Sequence, residues 1–478
     1  MAFTSFNFLI FFILLTILYY LCPVKFKWLI LLIASYFFYL NIKPVFALIV
    51  AGITLSTYFF TLLINRTLDE SNKKILLYLN IILILLPLFF FKYFSSINNE
   101  MISILETIHF RWPLPEIKLL LPIGISYYTF MAIGYTIDVY NDELEAEKNL
   151  GIVALFVSFF PLILSGPIER AKNMLPQFKS LQNAEYFMIV KGIKLMLWGY
   201  FMKLVVADRI GIIVDAIYSN IPNHNGTSLL FAAILYPFQM YADLGGYSLI
   251  SIGSASILGI NVMQNFNRPF FATSMSEFWR RWHISLIKWL TDYIYTPLSF
   301  SFRRYKRWGI IAALMITFLI SGIWHGANLT FVAWGVLQGI FLSIESFTNK
   351  RKILFEKKNN LNSKAWYLFS GMALTFILFA SSEVFGRAVK ISDALLIFKK
   401  IFTTHGPLFF DRPSTLILSL FGLLMIMIKE YTDEFTPSCF LLFENKQKAV
   451  RLLAYSCIVI LIILIGVFDG GQFIYFQF

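Results

Sequence analysis

"SGIWHGANLTFVAWG", residues 321–335, decides how this chain is read. It has long apolar runs on both sides, yet it carries a histidine, an asparagine, and several small residues. The apolar flanks are long enough to belong to membrane helices, which need about 20 residues to cross a bilayer. An ionisable side chain inside such a segment is costly and usually functional. His325 therefore asks for a chemical reason.

The rest of the chain agrees with a membrane setting. Of its 478 residues 58% are hydrophobic and only 14% charged, against about 25% charged in soluble domains. The mean hydropathy is +0.71. Continuous apolar runs of 17 or more residues recur, and they do not alternate as barrel strands do. The fold class expected is an all-α polytopic membrane protein. Spans are predicted at 6–22, 27–41, 44–64, 75–95, 151–165, 187–206, 228–260, 309–323, 328–346, 366–382, 413–428 and 452–468, with 119–140 a span or a broken helix. We settle on about eleven transmembrane helices with re-entrant or interfacial pieces. The first apolar run lacks a basic leader and a cleavage site, so it reads as a retained span. Cys22, Cys439 and Cys457 show neither disulfide nor metal spacing, and no metal is expected. There is no convincing internal repeat, a feature many transporters show.

The net charge of +13 fits Lys and Arg collected in cytoplasmic loops. Taking the clusters at 66–74, 303–307, 350–358 and 446–451 as inside places both termini outside. Arg387, Lys390, Lys399 and Lys400 then fall outside, which fits the rule poorly. No basic soluble module exists to bind nucleic acid.

Five histidines are candidates for chemistry. His109, His224 and His405 lie in polar connections and read as solvated loop residues. His325 and His283 lie among apolar residues. Around His325, a continuous helix would place Ser321 (i−4) and Asn328 (i+3) on the same face, next to Trp324. Gly322, Gly326 and Ala327 leave room for a backbone or ligand. A histidine titrating near neutrality suits a general base for a hydroxyl nucleophile. His283 lies in "EFWRRWHISLIKWLTDYIYTPL", residues 277–298. Read as one amphipathic helix, Trp279, Trp282, Leu286, Trp289 and Tyr293 form a stripe, with Arg281, Ser285, Lys288 and Asp292 opposite. The tryptophans suit an interfacial belt. Arg280, Arg281 and Lys288 suit either headgroups or an anionic acyl donor.

"SGIWHGANLTFVAWG", "RPFFATSMSEFWRRWHISLIKWLTDYIYTPL", "LPIGISYYTFMAIGYTIDVY", "LFVSFFPLILSGPIER" and "YADLGGYSLISIGSASILGI" together resemble the membrane-bound O-acyltransferase family. The resemblance is strongest to its bacterial branch, whose members serve alginate O-acetylation and teichoic-acid D-alanylation. It runs in order over roughly residues 40–400. The family's invariant catalytic histidine maps onto His325 and its second histidine onto His283. Where the family often has an aromatic-rich W-x-F-F-R-A, this chain reads "SSEVFGRA" (381–388), with Glu383 and Gly386 in place of bulky rings and Arg387 retained.

The resemblance implies a ring of tilted helices around a thin centre, entered by a funnel from each side. It implies an O-acyltransferase with no bound cofactor. The donor would be a cytoplasmic acyl thioester, acetyl-CoA, and the acceptor a cell-envelope or exported polysaccharide. It further implies a bacterial cytoplasmic membrane location and a separate extracytoplasmic partner of the SGNH-hydrolase type. Residues 1–468 would form one acyltransferase domain. The tail 469–478, containing "GGQFIYFQF", would carry Tyr475 as a candidate acyl acceptor, because it resembles the ending of the small membrane peptide of D-alanylation systems. The competing readings are a polysaccharide exporter or flippase, and a non-catalytic scaffold subunit.

Overall fold

The computed structural model describes residues 2–41, 43–107, 120–181, 183–361, 364–436 and 443–468, and it is helical throughout, with no strand among the described residues. The chain divides into two compact units, residues 1–196 with 251–263, and residues 197–250 with 264–478.

In chain order the first unit begins with α1 (Phe6–Leu21), α2 (Lys27–Leu40), α3 (Pro44–Arg66), α4 (Glu70–Phe89) and α5 (Ser95–Thr107), followed by α6 (Ile125–Tyr140), α7 (Leu150–Ser158), α8 (Phe160–Ile163) and α9 (Ala171–Lys179). The helix α10 (Tyr186–Tyr200) leads into the second unit, which contains α11 (Asp208–Tyr218) and most of α12 (Gly226–Ile257). Three short helices follow, α13 (Met275–Arg281), α14 (Ile284–Leu290) and α15 (Thr296–Ser301). Then come α16 (Arg307–His325), α17 (Leu329–Lys358), α18 (Ala365–Arg387), α19 (Ile391–Thr403), α20 (Pro413–Phe435) and α21 (Lys448–Ile465).

Seven of the described helices are long and apolar enough to cross a membrane: α3, α4 with its continuation to Asn99, α16, α17, α18, α20 and α21. Further spans of an eleven-span reading would have to come from shorter or interrupted helices such as α1 and Leu150–Ile163. In the first unit, Lys27 is buried against the Tyr19 ring, its Nζ 4.4 Å from the centroid, and it donates to the Asn183 side chain. The amphipathic lysine thus satisfies its charge inside an apolar unit.

The second unit buries a stronger ionic device. Lys203 lies in a π-helical stretch, Phe201–Ala207. Its Nζ is 2.7 Å from Asp208 and 2.6 Å from Asp243, with all three side chains buried. Removing the lysine would take from both carboxylates the cation they share. Breaking such a buried group costs about 3–5 kcal/mol. Lys203→Met is therefore expected to lower thermal stability markedly in detergent. A melting temperature equal to the parent's would show that the triad contributes nothing.

Candidate active site

Residues 321–335 form the tip of a helical hairpin. α16 ends at His325, residues 326–328 turn, and α17 starts at Leu329. The hairpin closes tightly because two glycines face each other. A Cβ on Gly322 would meet the Phe331 carbonyl oxygen at 2.4 Å, and one on Gly335 would meet that of Phe318 at 2.4 Å. Small residues at such crossings let membrane helices approach closely. The approach sets Trp334 of α17 edge-on to the His325 ring, with centroids 4.9 Å apart. Trp324 also stands edge-on to it, at 4.8 Å.

His283 reaches the same place by a different route. The single helix expected over 277–298 is broken. α13 starts at a capping arrangement in which Ser274 Oγ accepts from the Glu277 N–H at 3.2 Å, while Glu277 accepts from the Thr273 N–H at 2.8 Å. Such reciprocal capping fixes a helix start. The helix stops at Arg281, and His283 adopts a left-handed backbone with φ 45°. That conformation costs an L-residue about 1–2 kcal/mol and persists only where neighbours enforce it. Asn265 supplies the enforcement. Its carbonyl accepts from the Ile284 N–H at 2.8 Å, and its side-chain oxygen accepts from Ser285 Oγ at 2.9 Å and from the Ser285 N–H at 3.2 Å. Arg281 secures the flank through Glu277 at 2.8 Å and Glu434 at 2.9 Å.

The two histidines line one cavity of about 40 Å³. Its wall also includes the indoles of Trp279, Trp282 and Trp334, the Tyr236 ring, Glu383 and Gly386. Two of the indoles are tied to α18. Trp334 Nε1 donates to Glu383 Oε1 at 2.8 Å. Trp279 Nε1 donates to Gln338 at 3.3 Å, and Gln338 donates to Ser382 Oγ at 2.7 Å. His283 is 2% exposed, and among the described residues its Nδ1 has no hydrogen-bond partner. Burial pushes its pKa down to about 4, so the ring is neutral at physiological pH. His325 is partly exposed.

Several expectations change at this point. Asn328 does not continue the face of His325. It is the exposed residue that precedes α17, because the helix breaks after His325. Ser321 is buried on α16 but does not line the cavity. Trp324 packs on His325 and also faces the His283 ring at 6.4 Å. Ser285 is buried under Asn265 and not on a wet face. Trp279, Trp282 and Trp289 are buried among other side chains, so they do not form the interfacial belt expected of them. Arg281 is held in ion pairs, whereas Arg280 and Lys288 are exposed. Arg387 pairs with Asp215 at 2.7 Å, one turn after Glu383. Of the other histidines, His224 packs on Phe409 at 4.6 Å, His405 is exposed, and His109 lies outside the described residues. Tyr475 also lies outside them. The sequence reading missed Asn265, Tyr236 and the cavity role of Trp334, although Trp334 stood in the quoted stretch itself.

Comparison with known proteins gives the same assignment. The model of the membrane-bound O-acyltransferase family matches residues 147–385, half of the chain, and this range contains both histidines and Glu383. The chain is 33% identical to the probable alginate O-acetylase AlgI of Pseudomonas aeruginosa, over 81% of this chain and 72% of that protein. It is 32% identical to a peptidoglycan O-acetyltransferase of Helicobacter pylori, over 79% of this chain and 74% of that protein. It is 28% identical to a teichoic acid D-alanyltransferase of Streptococcus thermophilus, over 65% of this chain and 75% of that protein. With two histidines on one indole-walled cavity inside a multi-pass helical membrane protein, this chain belongs to the membrane-bound O-acyltransferase family and is an O-acyltransferase.

Proposed function

We propose that the chain transfers a short acyl group, acetyl, from cytoplasmic acetyl-CoA toward the O-acylation of a cell-envelope or exported polysaccharide. The observation that carries this reading is the placement of His325 and His283 on one small aromatic cavity. About 40 Å³ holds roughly three water-sized atoms. That suits an acetyl group. The polysaccharide follows from the relatives, two of which are named for alginate and peptidoglycan O-acetylation.

The chemistry runs on this chain's own residues. His325 takes the proton of an acceptor hydroxyl as its oxygen attacks the thioester carbonyl. The imidazolium so formed sits at the C-terminal end of α16, where the helix dipole favours a cation by about 0.3–1 kcal/mol. The neutral His283 ring donates its N–H to the carbonyl oxygen as negative charge builds there. The carbon–sulfur bond then breaks, and the proton on His325 passes to the leaving thiolate. No cofactor is consumed.

In this reading the protein sits in the bacterial cytoplasmic membrane with its C-terminus outside. Residues 1–468 act as the acyltransferase domain and 469–478 as its tail. A separate extracytoplasmic protein of the SGNH-hydrolase type completes the transfer. An exporter or a scaffold would have no use for two histidines on one pocket. The test uses the full chain in proteoliposomes with radiolabelled acetyl-CoA or palmitoyl-CoA and the host's envelope polysaccharide. Label is expected from acetyl-CoA alone. Equal labelling from palmitoyl-CoA, or none from either, overturns the proposal.

His283→Ala separates the two roles. One donor aimed at a developing oxyanion is worth about 10²–10³ in kcat. Turnover is expected to fall by that order with the KM for acetyl-CoA little changed. A rise in KM alone would move His283 to the donor-binding site.

A further inference from the structure

The family's W-x-F-F-R-A pattern is interrupted in this chain at two positions, Glu383 and Gly386, and the two interruptions meet. A Cβ on Gly386 would lie 2.8 Å from Glu383 Oε2. Any side chain there would push the carboxyl group aside, so the glycine makes room for the glutamate. Both residues line the histidine cavity. Glu383 is 4% exposed, and a buried carboxyl group is expensive unless a partner uses it. Its partner is Trp334, whose Nε1 donates to Oε1 at 2.8 Å. Trp334 in turn presents its ring to His325 at 4.9 Å and 75°.

The neighbouring residue repeats the logic. Ser382 holds Gln338, and Gln338 holds the Trp279 indole. Trp279 and Trp334 meet edge to face at 5.9 Å. Two adjacent residues of α18 therefore fix the rotation of two indoles that form the wall beside the base. A tryptophan has only two side-chain torsions, and a hydrogen bond at Nε1 selects one face of the ring for the cavity.

We propose that Glu383 is a positioning residue for His325, acting through the Trp334 indole. The inference rests on the acyl-transfer reading for its kinetic arm and on the hairpin geometry for its chemical arm.

The experiment compares Glu383→Ala, Glu383→Gln and Trp334→Phe in the full chain in proteoliposomes. The first readout is acetyl transfer from labelled acetyl-CoA. The second is the rate at which diethyl pyrocarbonate modifies His325, followed by peptide mass spectrometry, which needs no turnover. A misplacement of about 1 Å can cost about 10²-fold, so Glu383→Ala and Trp334→Phe are expected to lower kcat by about 10- to 100-fold with KM unchanged. His325 should react faster in both. Glu383→Gln keeps an oxygen for the indole and should restore both readouts toward the parent. If Glu383→Ala matches the parent in both readouts, the proposal is wrong. If Glu383→Gln is as impaired as Glu383→Ala, the carboxylate itself acts on substrate and the positioning role is also wrong. Should the parent transfer no acetyl group, the acyl-transfer reading fails and the His325 reactivity series alone decides this one. If Glu383→Ala does not fold, Trp334→Phe, which keeps an aromatic ring and removes the N–H, carries the test.

Discussion

His325→Ala should abolish acyl transfer while leaving a folded protein in the membrane. A positioned base contributes about 10²–10⁴ to the rate, and His325 is the partly exposed imidazole of the pair that lines the cavity. The structural cost is smaller. The ring makes edge contacts with Trp324 and Trp334, each worth about 0.5–1.5 kcal/mol. The hairpin itself is held by the backbone approach at Gly322 and Gly335, which the substitution leaves untouched. Size-exclusion and melting profiles should therefore stay near the parent's, while label from acetyl-CoA drops to background. His325→Gln, which keeps a polar side chain but no base, should be equally inactive. A folded His325→Ala protein that turns over near the parent's rate would remove His325 from the chemistry and leave the cavity without a base.

The membrane class was legible in the sequence, as was the singling out of the two histidines that share the cavity, and physical reasons separate these from what was not. His325 stood out because ionisable residues are rare in apolar runs, a property of composition that needs no coordinates. The break at His283 was hidden because the apolar stripe from Trp279 to Trp289 keeps helical phase across it. What enforces the left-handed turn is Asn265, well upstream, through bonds to Ile284 and Ser285 that no local pattern encodes. The face assigned to Asn328 assumed one continuous helix, and the three-residue turn after His325 cancels that phase. The tryptophans read as an interfacial belt because hydropathy cannot tell a bilayer from an aromatic pocket. Glu383 appeared only as a departure from a family pattern. Its use depends on an indole from α17, 49 positions away in sequence. Local signals thus named the candidate residues, and long-range contacts supplied their orientation.

Tyr475→Phe is expected to stop polymer acylation as completely as loss of His325, although it removes a single oxygen atom. The tail "GGQFIYFQF", residues 470–478, follows the last described span, α21, and lies outside the described residues. On composition alone it is an aromatic anchor at a membrane interface. Its ordering of residues argues for more. The stretch around Tyr475 resembles that of a membrane peptide whose tyrosine carries an acyl group. A tyrosine ester fits the proposed chemistry, because a phenol with a pKa of about 10 is un-ionised near neutrality and needs the base that His325 would supply. The phenol oxygen would attack the thioester, its proton passing through His325 to the thiolate, and the resulting aryl ester would hand its acyl group to the extracytoplasmic partner. Tyr475→Phe keeps the ring, so membrane insertion and acetyl-CoA binding should match the parent's. Short incubation of the parent with labelled acetyl-CoA should place label on the C-terminal peptide. That label should be absent in Tyr475→Phe and in His325→Ala alike. Full polymer acylation by Tyr475→Phe would reduce the tail to an anchor and make the polymer or the partner protein the direct acceptor at His325.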